Sequence, residues 1–181
     1  MQVKKIKVRK ISVDELFSII SPLLEEYNWN KEYLYQTFQN KFIFRFTSEF
    51  DQIEIIDKNE KIDEVLNELA EINLYPYSIG EPIIRIEKGK VYPLLPLANY
   101  LSICNKIYLK NTKMAEKLTY GKAVIVNINE IITQGPLVNN AKYLVYSQDG
   151  LFIAFSRVKI KKNFVKILPD LDIGWYLRKG K

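Results

Sequence analysis

The sequence contains no histidine and only one cysteine, Cys104. Without histidine it lacks the commonest general base and the commonest metal ligand, and a single cysteine effectively excludes a zinc site. One cysteine cannot form an internal disulfide, which suits a reducing cytoplasm. The longest apolar stretch, residues 94–104, is too short to span a bilayer. We therefore expect no metal, no cofactor and no membrane partner.

Charge is present in abundance but is unevenly placed. Residues 1–100 hold 13 Lys and Arg against 16 Asp and Glu, a net charge of −3. Residues 101–181 hold 14 against 5, a net charge of +9. A basic half beside a mildly acidic half predicts a polyanionic partner for the basic half, and we favour nucleic acid. The alternative is the well-solvated, Lys- and Glu-rich surface of a thermostable protein.

The first half of the chain shows both helical and strand periodicity. Ser12 to Glu15 has the form of a capping box, and Pro22 should kink the helix that follows or start a second one capped by Ser21. Residues 41–46 and 53–56 read as a hairpin, and apolar residues recur at helical spacing over 62–72. We interpret residues 1–97 as a mixed α/β domain.

The second half is different, because short apolar strands there alternate with turn residues. We predict strands at 137–138, 141–146, 151–158 and 165–168. Asp149-Gly150 predicts a tight hairpin in which both residues have positive φ. Strands this short and evenly spaced predict a small β-barrel over residues 98–181. The fold class is therefore α+β, with an N-terminal mixed α/β domain before the barrel.

A short basic helix opens this second half. Thr112 is placed to cap it, and Gly121 ends it because glycine readily adopts a left-handed conformation. Lys113 and Lys117 share one side of the helix, and Lys122 follows the glycine. Such a helix, turned sharply between two strands, is a plausible cradle for a sugar-phosphate backbone. The alternatives are a solvated basic helix and a glycine that only stops it.

The sharpest charge cluster lies near the end of the third predicted strand and just beyond it. Alternate residues of a strand share a face, so Arg157, Lys159 and Lys161 would point to the face opposite that of Val158 and Ile160. Such cations are about 7 Å apart, which roughly matches phosphate spacing along a nucleic-acid strand. The alternative is a sheet edge protected by lysines. The cluster consists of Arg157, Lys159, Lys161 and Lys162.

Several motifs resemble known families. Leu118 to Gly121 before an apolar strand, with Leu-Phe-Ile-Ala-Phe at 151–155, resembles a PUA domain, the RNA-binding barrel named for pseudouridine synthases and archaeosine transglycosylases. The run Asp-Ile-Gly-Trp-Tyr-Leu-Arg at 172–178 resembles the end of the Nip-seven family of ribosome-biogenesis proteins. That family has about this length and this order of domains. The chain departs from it at Ser156, where the family often has glycine.

The resemblance implies a function as well as a fold. It implies a non-catalytic RNA-binding factor for pre-rRNA processing and large-subunit assembly, with no catalytic residues. The PUA helix and the turn at Gly121 would form part of the RNA groove, and the N-terminal domain would dock pre-ribosomal assembly factors or the RNA exosome. The basic tail of the 151–158 strand fits an archaeal, cytoplasmic member, whereas eukaryotic relatives are nucleolar. We expect a monomer that binds ribosomal RNA precursors.

Two other classes of function remain open. A translation factor that pairs an α/β domain with a PUA domain would dock on the small ribosomal subunit, and the Asp-Ile-Gly ending argues against it. An RNA-modifying enzyme would carry the PUA domain on a much larger catalytic domain. Here only residues 1–97 remain for catalysis, and they contain no Gly-rich cofactor loop and no spaced metal ligands.

Overall fold

A computed structural model describes residues 7–49, 51–72, 74 and 76–179. It contains a five-stranded and a six-stranded sheet, and it confirms the predicted α+β fold class. The chain divides into two compact units, one of residues up to 23 with 31–100, the other of 24–30 with 101–181. The domain boundary between residues 97 and 98 stays a prediction. Among the described helices, none combines the length and apolar character needed to cross a membrane.

The first unit is built on an antiparallel sheet with strand order β1-β2-β3-β4-β5. Helix α1 begins in this unit, and its last turn belongs to the second. A 3₁₀ helix, Leu95–Tyr100, follows the sheet. The elements are β1 (Lys7–Ile11), α1 (Val13–Tyr27), α2 (Lys31–Gln39), β2 (Lys41–Thr47), β3 (Asp51–Asp57), α3 (Glu60–Glu71), β4 (Glu81–Glu87) and β5 (Lys90–Pro93).

Helix α1 differs from the prediction at two places, the capping box at its start and Pro22 in its interior. The Ser12 hydroxyl accepts the Glu15 N–H at 3.1 Å, but the Glu15 carboxylate pairs with Arg9, so only half of the capping box forms. The helix runs through Pro22, and the alternative of a second helix starting there is wrong. The Ser21 hydroxyl donates to the Ser18 carbonyl at 3.4 Å. That carbonyl is the one that lacks a helical donor, because proline has no N–H.

The hairpin of β2 and β3 forms as predicted and buries three phenylalanines of β2 on one face, Phe42, Phe44 and Phe46. Helix α3 packs against them through Ile62 and Leu66. The helix has no fully buried residue, and its Val65 is exposed. Its apolar stripe therefore covers the sheet only in part.

The second unit is a curled six-stranded sheet with strand order β7-β11-β10-β9-β6-β8. All pairs are antiparallel except β6 with β9. Its core is formed by residues such as Ile107, Leu118, Val145, Val158 and Ile167. The elements are β6 (Lys106–Leu109), α4 (Thr112–Thr119), β7 (Val124–Asn127), a 3₁₀ helix (Ile128–Glu130), β8 (Ile131–Gln134), β9 (Lys142–Ser147), β10 (Phe152–Lys161), β11 (Phe164–Asp172) and α5 (Trp175–Lys179).

One strand prediction and one turn prediction in this unit are wrong. The strand predicted at 137–138 is a loop, because Tyr143 of β9 satisfies its backbone: the hydroxyl accepts the Val138 N–H and donates to the Pro136 carbonyl, each at 2.7 Å. Between β9 and β10, only Gly150 has positive φ (86°), so the turn is not the two-residue type predicted from Asp149-Gly150. The Ser147 N–H closes this loop on the Leu151 carbonyl.

Candidate nucleic-acid interface

Strand β10 carries the predicted cation cluster on its outer face. Arg157, Lys159 and Lys161 are exposed, whereas Val158 is buried and Ile160 is half-buried. The alternation follows from the strand geometry, which points successive side chains to opposite faces of the sheet. The cations therefore project into solvent, while the residues between them turn toward the core.

The neighbouring strands add residues that the sequence reasoning missed. In the β10–β11 register, Lys166 lies opposite Lys159, and Phe164 lies opposite Lys161. On the next strand, Ile125 of β7 lies opposite Lys166. Adjacent strands are about 4.8 Å apart, so these side chains are direct neighbours on one face. The alternation of polar and apolar residues over 164–167 indicates which of these side chains are exposed, but it does not indicate which residues of β10 they lie opposite.

These residues line an open cavity of about 720 Å³ at the β10–β11 hairpin, which we call the lysine groove. Four lysines contribute to it: Lys159, Lys161, Lys162 and Lys166. Its apolar lining residues are Ile125, Ile160 and Phe164, and Asn139 and Asn140 complete it. No acidic residue is among these lining residues, so the groove is a concentrated positive site.

The four lysines have no ion-pair partner within the part of the chain that the structure describes. Lys159 and Lys166 face each other directly across two strands, an arrangement in which like charges repel. The groove therefore holds positive charge that the described side chains do not neutralise. A bound polyanion would relieve this repulsion.

The asparagine side of the groove is held in place by β10 itself. The Asn139 side-chain oxygen accepts the Ile160 N–H at 2.8 Å, and the Asn140 N–H donates to the Val158 carbonyl at 2.8 Å. Asn140 has a positive φ of 63°, a conformation that asparagine tolerates better than most residues. The Asn-Asn pair thus continues the sheet where β9 has not yet begun.

Arg157 lies in different surroundings from the lysines. It lines a second cavity, of about 360 Å³, together with Glu25, Glu26 and Lys142, and this cavity adjoins the lysine groove at the two asparagines. The Lys142 ammonium lies 2.6 Å from Glu26 and 3.8 Å from Asp170. Burial raises the pKa of Asp170, while the positive charges of Lys142 and Arg157 oppose this rise. Arg157 therefore belongs to a mixed-charge cluster and is not among the residues that line the lysine groove.

The second predicted basic group surrounds α4. The helix is capped by Asn111, whose side-chain oxygen accepts the N–H groups of the first turn, and not by the predicted Thr112. Gly121 has the predicted left-handed φ of 72°. The helix and the residues beyond it expose three lysines, Lys113, Lys117 and Lys122.

The chain turns at residues 119–122, directly after α4, and we call this segment the α4 turn; it is fastened by residues of the 172–178 segment. The Arg178 guanidinium makes two hydrogen bonds to Asp172, at 3.0 and 2.6 Å, and a third to the Thr119 carbonyl at 2.5 Å. A Cβ on Gly174 would overlap that same carbonyl, and a Cβ on Gly121 would lie 2.9 Å from Arg178. We call this arrangement the arginine clasp. It explains why both glycines are needed here.

The two basic groups lie toward opposite ends of the β10–β11 ribbon. The clasp residue Asp172 pairs with Ala154, whereas Lys161 pairs with Phe164 at the hairpin. The seven residue steps from Ala154 to Lys161 span about 23 Å at the rise of a strand. The structure thus brings Lys159, Lys161 and Lys162 together, and it keeps Lys113, Lys117, Gly121 and Lys122 apart from them as a second group.

Known proteins support the identity of the second unit. Residues 105–181 match the model of the family described as UPF0113 PUA domain. Among curated proteins, none matches the sequence. The structure is similar to that of a conserved PUA domain protein from Thermoplasma acidophilum, with a TM-score of 0.53, 13% sequence identity, and coverage of 90% of this chain and 93% of that chain. At this identity the likeness concerns the fold.

A PUA domain is known as an RNA-binding module, which supports RNA binding by this protein in general terms. The curled six-stranded sheet and the family match agree on the assignment. Residues 105–181 therefore form a PUA domain of the UPF0113 kind, which follows an N-terminal α/β region.

Proposed function

We propose that the protein is a non-catalytic factor of ribosome biogenesis that grips RNA through the lysine groove. The observation that carries the proposal is the groove itself. It lies on a PUA domain, and its four lysines form no ion pair with a carboxylate in the part of the chain that the structure describes. Lysine binds phosphate as a point charge, so such a groove suits contacts along the sugar-phosphate chain without base-specific hydrogen bonds.

The place of this activity in the cell rests on the resemblance to the Nip-seven family. The motif at 172–178 and the order of an α/β region before a PUA domain both support it. We therefore propose a role in pre-rRNA processing and large-subunit assembly, as a monomer in the cytoplasm of an archaeal cell. The N-terminal unit would dock assembly factors or the RNA exosome.

The RNA-binding step is tested by charge reversal in the groove. The triple variant Lys159→Glu, Lys161→Glu and Lys166→Glu is compared with the native protein in RNA binding at several salt concentrations. Each lost phosphate contact should reduce the slope of log K against log salt by about 0.7, so the triple variant should lose about 2 units of slope. Its affinity should fall by at least tenfold at low salt.

A matched control carries the same change of charge elsewhere. Lys58, Lys61 and Lys88 are exposed lysines of the first unit, and their reversal to Glu alters the net charge equally. This control should keep most of the affinity and nearly all of the salt slope. If both triple variants lose binding to the same extent, the effect is one of overall charge, and the groove is not the site.

The second basic group provides a further arm of the same experiment. Reversal of Lys113, Lys117 and Lys122 measures whether RNA extends from the groove to the α4 turn. A loss of slope in this variant as well would indicate a path of about 23 Å along the ribbon. An unchanged slope would confine the site to the groove.

The cellular role is tested by cosedimentation with ribosomal precursors. We expect the protein to sediment with large-subunit precursors, and crosslinking should map its contacts to precursor rRNA. Association with the small subunit alone would favour the translation-factor alternative. RNA binding in the first experiment would stand in either case.

A further inference from the structure

The lysine groove contains exposed apolar surface that phosphate binding does not require. Phe164 is 50% exposed and Ile125 is 59% exposed, and both line the groove. Phosphate oxygens are bound by cations and N–H donors, which phenylalanine and isoleucine do not provide. These apolar side chains would therefore contact a part of the ligand other than its phosphates.

The position of Phe164 places its ring beside the cations. Phe164 is the first residue of β11, and it lies opposite Lys161 on β10 and opposite Asn127 on β7. Lys166 is on the same face two residues further along. A ligand that covers the ring therefore has a lysine about one strand spacing, about 4.8 Å, to the side.

A nucleotide has a group for the lysines and a group for the aromatic ring. Its phosphate pairs with lysine, and its base has a flat π-face that stacks on an aromatic ring. In a duplex the bases are already stacked and paired, so a duplex would cover the lysines and leave the ring uncovered. An unpaired base satisfies both.

We propose, on the basis of the RNA-binding function above, that Phe164 is a base-stacking residue and that the groove binds single-stranded RNA through one unpaired base. The lysines hold the flanking phosphates, and Ile125 supplies apolar contact beside the ring. Stacking is tolerant of sequence, because every base has a π-face, so this residue selects single strands over duplexes and not one base over another.

The test compares three labelled ligands of equal phosphate number: a single-stranded RNA, a hairpin duplex and an abasic ribose-phosphate chain. Fluorescence anisotropy measures their binding to the full-length protein. The native protein should bind the single strand on the order of tenfold more tightly than the abasic chain. Phe164→Ala should remove this difference by weakening the single strand only, with the salt slope unchanged.

Two further variants complete the design. Phe164→Trp keeps an aromatic face and should retain the preference for the single strand, and the new indole should be quenched by RNA. Leu151→Ala removes a comparably exposed apolar side chain, 60% exposed, at the β9–β10 hairpin, and should change nothing. Unchanged binding of the abasic chain by Phe164→Ala shows that this variant is folded.

The outcomes separate this proposal from the proposed function. If reversal of the groove lysines abolishes binding but Phe164→Ala keeps the tenfold preference, RNA binding stands and base stacking is wrong. Equally tight binding of the duplex by the native protein would also overturn stacking. If lysine reversal has no effect on any ligand, both proposals fail together. Binding only to an acidic peptide with apolar side chains would instead identify a protein ligand and overturn both.

Discussion

Arg157 and Lys159 lie two positions apart on the same face of β10, yet their surroundings differ. Lys159 lies opposite another lysine, whereas Arg157 shares a cavity with Glu25, Glu26 and Lys142. The sequence shows both residues as members of one basic cluster. Only the neighbours on other elements, Lys166 on β11 for Lys159 and Glu25 and Glu26 on α1 for Arg157, distinguish an unneutralised cation from one inside a mixed-charge network.

The surroundings also decide the role of Glu54, a carboxylate on β3 that is fully buried. One carboxylate oxygen accepts the Ser78 hydroxyl at 2.8 Å and the N–H groups of Ile79 and Gly80 at 2.8 and 3.0 Å. The other accepts the Gln52 amide at 2.7 Å. Four donors therefore converge on one acidic side chain, which ties residues 78–80 to β3.

We predict that Glu54→Gln destabilises the protein by about 1–3 kcal/mol. The shape is kept, but the negative charge that four donors contact is lost, and one oxygen becomes an NH₂ group, which cannot accept a hydrogen bond. Urea denaturation followed by circular dichroism measures the change. Glu64→Gln, at an exposed position on α3, is the control and should change the free energy of unfolding by less than about 0.5 kcal/mol. Equal midpoints for the two variants would contradict the prediction.

At the scale of elements, the β10–β11 ribbon sets two lysines directly against each other. Lys159 and Lys166 are opposite on the exposed face, and like charges in this position destabilise a sheet. The repulsion acts in the free protein and is relieved by a polyanion. We therefore expect the two lysines to lower the stability of the free protein and to strengthen the binding of a polyanion.

We predict that Lys166→Thr stabilises the free protein by about 0.2–1 kcal/mol while it weakens RNA binding. Threonine has good strand propensity and removes the repulsion. The control is Lys90→Thr in the first unit, where Lys90 lies opposite Glu87 and the attraction is lost. Thermal and urea unfolding should move in opposite directions for the two variants. A loss of stability in Lys166→Thr would show that its neighbours do not repel it.

At the scale of the whole molecule, the arginine clasp joins residues far apart in the sequence. Arg178 binds Asp172, which is 3% exposed, and the carbonyl of Thr119 at the end of α4. The motif by which the sequence resembles the Nip-seven family therefore has a structural task, which is to fasten the α4 turn to β11.

We predict that Arg178→Leu destabilises the PUA domain, because it leaves the Asp172 carboxylate, which is 3% exposed, without its cation. The loss is smaller than for a fully enclosed pair, because the Arg178 side chain is 36% exposed. Hydrogen exchange of the 119–122 amides should accelerate as the turn loosens. Arg178→Lys keeps the charge but not the two-pronged contact, so an intermediate effect is expected. Unchanged exchange in Arg178→Leu would mean that the clasp does not hold the turn.

Residues 24–30 belong to the second unit although they lie within the predicted N-terminal domain. The Tyr27 ring packs edge-to-face on Phe155 at 5.5 Å and stacks with Trp29 at 5.2 Å. Glu26 pairs with Lys142 of β9. A fragment cut at residue 98 would therefore leave Phe155 without these neighbours.

We predict that Tyr27→Ala in the full chain destabilises the second unit by about 3–5 kcal/mol, as expected for a buried aromatic residue. Fragment 98–181, which lacks the same side chain, should unfold at a lower urea concentration than the second unit of the intact chain. Tyr77→Ala, which removes a tyrosine that is 82% exposed, is the control and should have little effect. If fragment 98–181 matches the intact chain in stability, the segment 24–30 contributes nothing to this unit.

The sequence by itself determined the features that depend on local periodicity and local backbone preference. It gave the α+β class, the PUA resemblance, the alternation of Arg157, Lys159 and Lys161, and the left-handed Gly121. The alternation and the glycine conformation are each set within a few residues, by side-chain period or by the freedom of glycine, and the class and the resemblance follow from such local patterns read along the chain.

Only the tertiary structure decided which distant residues meet. Strand register set Lys166 and Phe164 beside the predicted lysines, and it put the α4 turn near the far end of the ribbon. Packing of the last turn of α1 within the second unit put Glu25 and Glu26 beside Arg157 and brought Tyr27 to Phe155. Register and packing depend on contacts between residues far apart in the chain, and no local pattern specifies them.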